Sequence, residues 1–211
     1  IYFHLQPHNY TLKYFNVKGL GEPIRYLFAW SGVDFEDVRY TMEDWPKIKN
    51  DQPFGQLPLL VTPEGVVLTQ SSAFARYLGK KMGLAPDDDL KNAKLDALVA
   101  HFADIEFYTI KPDTPEWETC LSTTLPFYLK KFDEAAADGW FYGNTASWVD
   151  IYFVGFIDNM ETKMKAEILT GYPNLEQIKK KVSEKPSICM RPTRAGTNSV
   201  SCDKRFKYTR I

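Results

Sequence analysis

Polar and apolar positions change their period partway along the chain. Through residue 85, short β-rich runs alternate with helical stripes; beyond it only helical spacing is left. Tyr10-Thr-Leu-Lys-Tyr-Phe15 is rich in β-branched and aromatic residues and predicts a strand. Gly19 and Gly21 break it, and Pro23 suits a helix start, where its missing N–H is not needed. Ile24, Leu27 and Phe28 then carry a helical stripe up to a stop at Gly32. Phe35–Tyr40 predicts a second strand, and residues 45–50 a short helix or loop. Leu59–Val61 and residues 66–68 flank Pro63-Glu-Gly65, turn chemistry that predicts a hairpin. Residues 71–82 close the unit as a helix with Ala75, Leu78 and Met82 on one stripe. The order is β-α-β-α-β-β-α, an α/β unit over residues 10–85.

The second half predicts an all-α unit over residues 90–186. Pro86-Asp-Asp-Asp89 is the linker. Leu95, Leu98, Val99, Phe102 and Ile105 fall on one helix face. A long helix over residues 117–137 follows, with Pro126 as a kink. Ser147-Trp-Val-Asp150 has the spacing of a capping box ahead of the apolar run 151–157, and a further helix starts near Pro173 and runs to Ser183.

Residues 187–211 break with this pattern. Six basic residues (Arg191, Arg194, Lys204, Arg205, Lys207, Arg210) against one acid, Asp203, give the segment a net of +5 in a chain whose total is −1. With Pro192, Gly196 and Asn198 punctuating it and no helical stripe, it reads as a disordered basic tail; a patch for an acidic partner is the alternative.

Composition narrows the class. With 26 basic and 27 acidic side chains, no basic excess marks a nucleic-acid module. No apolar run is long enough to span a membrane. Residues 1–10 lack the basic start and apolar stretch of a signal peptide, and three scattered cysteines (Cys120, Cys189, Cys202) make neither a disulfide framework nor a metal site. The expectation is a cytoplasmic protein without a bound metal. The chain opens on Ile rather than Met, as a fragment or a processed form would.

Several residues carry candidate chemistry, each with an ordinary alternative. Tyr14 lies in a strand, where tyrosine is usually packing. Pro58 precedes a strand, where an X–Pro bond is sometimes cis. Gln70-Ser71 precedes a helix; Ser71 is a natural N-cap, and the N–H groups exposed there also bind anions. Trp45 and Lys49 are spaced to share one edge of a polar cleft, or simply lie on the surface.

Taken together, these motifs resemble the cytosolic glutathione transferases, whose fold is a thioredoxin-like unit followed by an all-helical domain. Tyr10-Thr-Leu-Lys-Tyr-Phe-Asn-Val-Lys-Gly-Leu-Gly-Glu-Pro-Ile-Arg-Tyr26 resembles the N-terminal strand and helix of the sigma class, particularly its arthropod members. Asp44-Trp-Pro46, Pro53-Phe-Gly-Gln-Leu-Pro58, Gln70-Ser-Ser-Ala-Phe-Ala-Arg-Tyr77 and Ser147-Trp-Val-Asp-Ile-Tyr-Phe153 continue the match over residues 10–186.

The resemblance implies a set of roles. Tyr14 is matched to the tyrosine that donates a hydrogen bond to the glutathione sulfur, and Pro58 to the cis-proline that leaves the Leu57 backbone for the cysteinyl part. Gln70 and Ser71 are matched to the γ-glutamyl end, and Trp45, Lys49 and Gln56 to the glycyl end. Asp104 falls where the family supplies an acid across a homodimer interface to the γ-glutamyl amine. Glutathione is then a co-substrate, no resident cofactor is implied, and the second substrate is a hydrophobic electrophile. No cysteine precedes Cys120, which removes the redox chemistry of thioredoxin-type thiols. Vertebrate sigma members, which include the haematopoietic prostaglandin D synthases, carry Arg where this chain has Leu20. They also carry an aromatic residue where Lys111 falls, and acids at Ala100 and Ala103. Conjugation is therefore the first expectation; prostaglandin-type isomerisation, and a crystallin-like binding protein with little turnover, are the alternatives.

Overall fold

The structure, a computed structural model, describes residues 9–108 and 114–189. Its first unit is built on four strands, β1 (Tyr10–Phe15), β2 (Phe35–Tyr40), β3 (Leu59–Val61) and β4 (Val67–Leu68), in the spatial order β2-β1-β3-β4. β1 runs parallel to β2, with Tyr14 opposite Arg39, and antiparallel to β3, with Lys13 opposite Leu59. The parallel pair requires a crossover, which α1 (Glu22–Ser31) provides. Pro23 stands in its first turn, and Gly32 ends it at a φ of 65°, a left-handed conformation that costs glycine little. After β2 come the short α2 (Trp45–Ile48) and two 3-10 turns, then the hairpin β3–β4 and α3 (Ser71–Lys81). The architecture is the α/β unit that the sequence pattern predicts.

The second unit is helical: α4 (Asp89–Tyr108), α5 (Pro115–Thr119), α6 (Leu125–Ala135), α7 (Trp148–Met164), α8 (Pro173–Ser183) and the single turn α9 (Pro186–Cys189). Asp88 caps α4, its carboxylate accepting from the Lys91 N–H at 2.7 Å. The long helix expected over residues 117–137 is divided. A π-helical turn at Cys120–Thr124 separates α5 from α6, and Pro126 falls in the first turn of the new segment. Proline has no N–H to give and clashes with the carbonyl one turn back, so the wider turn ahead of it takes the place of the expected kink. Of the tail, Ser187 to Cys189 belong to α9, with Ile188 buried; residues 190–211 and Lys111 lie outside the described residues.

The two units share one continuous core. Leu12, Leu60, Ile24, Leu27, Phe28, Phe74 and Leu78 fill the first, and Phe102, Phe132, Phe141, Trp148, Phe153 and Phe156 fill the second. Phe102 meets Phe132 edge-on at 5.0 Å and stacks on Phe156 at 5.2 Å. The seam is α1 against α7. Gly155 lies on the Pro23 backbone so closely that a Cβ there would come within 2.5 Å of Pro23 Cα. The Trp148 N–H donates to the Leu84 carbonyl at 2.9 Å, a second tie across the boundary.

The capping box at Ser147 is complete. Asp150 Oδ2 accepts from the Ser147 N–H and Oγ–H, both at 2.7 Å, and Oδ1 accepts from the Phe141 N–H at 2.8 Å. The helix that begins there runs on to Met164, well beyond the apolar run that marks it in the sequence. Among the described residues no helix is long and apolar enough to cross a membrane, and no three His, Cys, Asp or Glu side chains gather to hold a metal ion.

Candidate active site

A cleft of about 350 Å³ opens where the end of β1, the irregular segment before β3 and the start of α3 converge. Its walls include Trp45, Gln56, Leu57, Pro58, Gln70 and Ser71, six of the nine residues singled out in the sequence. Each is delivered by a local feature. Trp45 opens α2, and its ring meets Phe15 edge-on at 5.3 Å. The Leu57–Pro58 peptide bond is cis. Gln70 precedes α3 with a φ of 65°, a conformation rare for a side-chain-bearing residue and worth a functional explanation. Ala73 and Phe74 donate their N–H groups to the Gln70 carbonyl at 2.9 and 3.2 Å, so an anion in the cleft would meet the Ser71 and Ser72 N–H groups at the positive end of the helix dipole.

Ser71 is buried at this entrance and faces the buried Tyr152 of α7. Burial pushes Tyr152 up to about 12, with Ser71 acting in the opposite direction. Lys49 is exposed and does not line the cleft; it stands at the rim, where a Cβ on Gly55 would lie 3.5 Å from its Cε. Asp104 is not brought to the cleft. It is exposed on α4, with His101 Nδ1 3.6 Å away.

Tyr14 sits one layer behind the wall, 8% exposed. The loop after β1 wraps tightly around it. A Cβ on Gly19 would fall 2.5 Å from the Tyr14 Oη and one on Gly21 2.6 Å from its Cδ1, so both positions need glycine for the loop to approach. Leu20, which does line the cleft, donates its N–H to the Tyr14 Oη at 3.2 Å. Burial raises the Tyr14 pKa above that of an ordinary phenol; the Leu20 N–H opposes this, Glu106 adds to it and Arg25 opposes it. At neutral pH the group is therefore a hydroxyl. With its oxygen occupied by Leu20, its own proton is left for another acceptor.

Two further sets of residues hold this loop. Arg25, buried, donates from Nε to Asp37 at 3.0 Å, and from Nη1 to the Val17 carbonyl at 3.0 Å and to Glu22 at 2.9 Å. Lys18 donates to Asp158 and Thr162 of the helical unit, and the Gly19 N–H donates to its Asn159. Sequence reasoning missed Asp158, Asn159 and Glu106, because each acts on residues more than fifty positions away. The one signal was polar: Asp158 and Asn159 end the apolar run 151–157 inside the helix.

A thioredoxin-like sheet joined to a helical bundle defines the class, and around the cleft stand a helix N-terminus, a proline at a strand entrance and, behind the wall, a buried tyrosine hydroxyl. Comparison with known proteins agrees with that class. Residues 10–80 match the model of the glutathione S-transferase N-terminal domain and residues 96–189 that of the C-terminal domain. A glutathione S-transferase of Anopheles gambiae is 35% identical over 190 residues, covering 85% of this chain and 93% of that protein. The hematopoietic prostaglandin D synthase of Rattus norvegicus is 37% identical over 189 residues, with the same coverage of 85% and 93%. Among solved structures, prostaglandin synthase D of Nilaparvata lugens superposes with a TM-score of 0.80 at 36% identity, covering 87% of this chain and 98% of that one. The chain belongs to the glutathione S-transferase family, and the family is enzymatic.

Proposed function

We propose that the chain is a sigma-class enzyme that conjugates glutathione to hydrophobic electrophiles in the cytoplasm, with Tyr14 stabilising the thiolate. The observation that carries this reading is the Leu20–Tyr14 bond: it fixes a neutral hydroxyl behind the cleft wall with its proton free for the sulfur. Leu57 pairs its backbone with the cysteinyl residue, and the start of α3 at Gln70 and Ser71 takes the γ-glutamyl carboxylate. Trp45, Gln56 and, from the rim, Lys49 hold the glycyl carboxylate. Asp104 serves a second subunit of a homodimer. Phe54, 86% exposed on left-handed backbone at the cleft's edge, is an apolar side chain that such a subunit would cover. Glutathione is consumed as co-substrate, and no resident cofactor takes part.

The chemistry follows from the thiol. A cysteine-type thiol titrates near ~8.5, so little is thiolate at neutral pH. Lowering that pKa by about two units stabilises the anion by roughly 2.7 kcal/mol and makes thiolate the majority species. A hydrogen bond donated to the charged sulfur supplies part of that shift. On an activated aryl chloride the thiolate forms the carbon–sulfur bond, and chloride leaves with the electron pair of the bond that breaks.

The test is conjugation of glutathione to a chloronitrobenzene by the wild type and by Tyr14→Phe at neutral pH. Turnover in the wild type and a large loss in the variant are expected; an inactive wild type, or an undiminished variant, refutes the reading. Retention on immobilised glutathione without turnover returns the binding-protein alternative. A prostaglandin-type isomerase is the second reading, favoured by the likeness to prostaglandin D synthases. Isomerisation of a prostaglandin endoperoxide faster than conjugation would establish it.

A further inference from the structure

Asn159 lies on α7, in the helical unit, yet it is bonded to the loop that carries the Tyr14 partner. It is buried, and it bridges three elements. Its Oδ1 accepts from the Gly19 N–H at 3.0 Å, and its Nδ2 donates to both carboxylate oxygens of Glu106 on α4 at 3.2 Å. Lys163, one turn further along α7, holds Glu106 Oε1 at 2.5 Å. These partners leave one orientation for the carboxamide. Glu106 only accepts and the Gly19 amide only donates, so the oxygen faces the loop and the nitrogen faces the carboxylate. A parallel tie stands beside it, Lys18 donating to Asp158 and to Thr162 at 2.8 Å each.

We propose that Asn159 is a positioning residue for thiolate formation: it sets the place of the Leu20 N–H, and through it the direction of the Tyr14 proton. The inference rests on the conjugation reading above. Gly19 precedes Leu20, and its backbone runs so near the Tyr14 hydroxyl that a Cβ there would fall 2.5 Å from the Oη. The Leu20–Tyr14 bond is 3.2 Å, at the long end of the useful range, so a small displacement of the loop breaks it. While Leu20 occupies one lone pair of the phenolic oxygen, the hydroxyl proton points away from the loop, and the bond accepted makes the hydroxyl a better donor. Without the Asn159 acceptor the Gly19 N–H loses its partner. The loop relaxes, and the Tyr14 hydroxyl loses both its orientation and part of its strength toward sulfur. Asn159 does not line the glutathione cleft, so its removal leaves ground-state binding in place.

The test uses Asn159→Ala and the space-filling Asn159→Leu in the full chain. The titration of the bound glutathione thiol is followed by its ultraviolet thiolate absorbance, and conjugation kinetics are measured beside it. Both variants should move the thiol midpoint up by roughly half to one unit and lower kcat about five-fold at neutral pH, with the KM for glutathione within about two-fold. A variant that folds with wild-type midpoint and kcat overturns the proposal. So does a loss confined to KM. The strut is also read without any variant or substrate. In the wild-type protein the Gly19 and Leu20 amides should exchange with solvent as slowly as the core of β1, and fast exchange there overturns it. If the wild type does not take glutathione at all, the conjugation reading falls, and the exchange measurement alone decides whether Asn159 holds the loop.

Discussion

Asp150 is fully buried, and its carboxylate accepts three hydrogen bonds: from the Phe141 N–H, the Ser147 N–H and the Ser147 hydroxyl. Burial outweighs the three donors and pushes its pKa up to about 6 from 3.8. Asp150→Ala removes the acceptor and leaves two backbone amides buried without a partner. At about 1–3 kcal/mol for each, the cost is roughly 2–6 kcal/mol, a large share of the stability of a typical domain. The pH dependence has a definite sign. An acid whose folded-state pKa is raised contributes stability that is present below pH 3.8 and is lost as pH rises through about 6. The cost of Asp150→Ala is therefore larger at about pH 5 than at about pH 8, by roughly 1–1.5 kcal/mol. Urea unfolding of both proteins at the two pH values measures it. If the donors outweighed burial, the pKa would be lowered and the cost would grow with pH instead; that outcome, or a cost under about 1 kcal/mol at both pH values, refutes the reasoning.

Three further outcomes are expected. Tyr14→Phe should shift the pH–rate inflection for conjugation upward by about one to two units, the equivalent of one charge-assisted hydrogen bond, and approach wild-type rates in alkali; an unshifted inflection would remove Tyr14 from thiolate stabilisation. Ser71→Ala should raise the KM for glutathione with little change in kcat, because it loosens a binding contact made equally in ground and transition states; steady-state kinetics decide this. Gly155→Ala should lower the melting temperature through a cost of about 1–3 kcal/mol, since its Cβ would sit 2.5 Å from the Pro23 backbone rather than against a yielding side chain; calorimetry showing no change would mean the α1–α7 seam can open.

How far the sequence reveals this protein depends on the reach of each interaction. Strand β1, helix α1, the hairpin and the Ser147 capping box are written in residues within four positions of one another, and period, glycine and proline place them. The split of the long helix at Pro126 was half legible: proline demands a break, but whether the chain kinks or widens into a π-turn depends on the core that Cys120, Leu125 and Leu129 must reach. The cleft shows the same division. Gln70-Ser71 and Leu57-Pro58 announce themselves by local chemistry, and the resemblance supplies Tyr14. The sequence does not say that Tyr14 lies behind Leu20 rather than on the open wall, because that turns on two glycines folding against its ring. Nor does it say that a backbone amide in the first unit is held by an asparagine 140 positions later. Such a contact leaves only a faint trace, a polar side chain just past an apolar run, and burial makes that trace meaningful. Asn159 could not be left at 4% exposure without partners for its amide, so finding the partners is the same problem as finding its role.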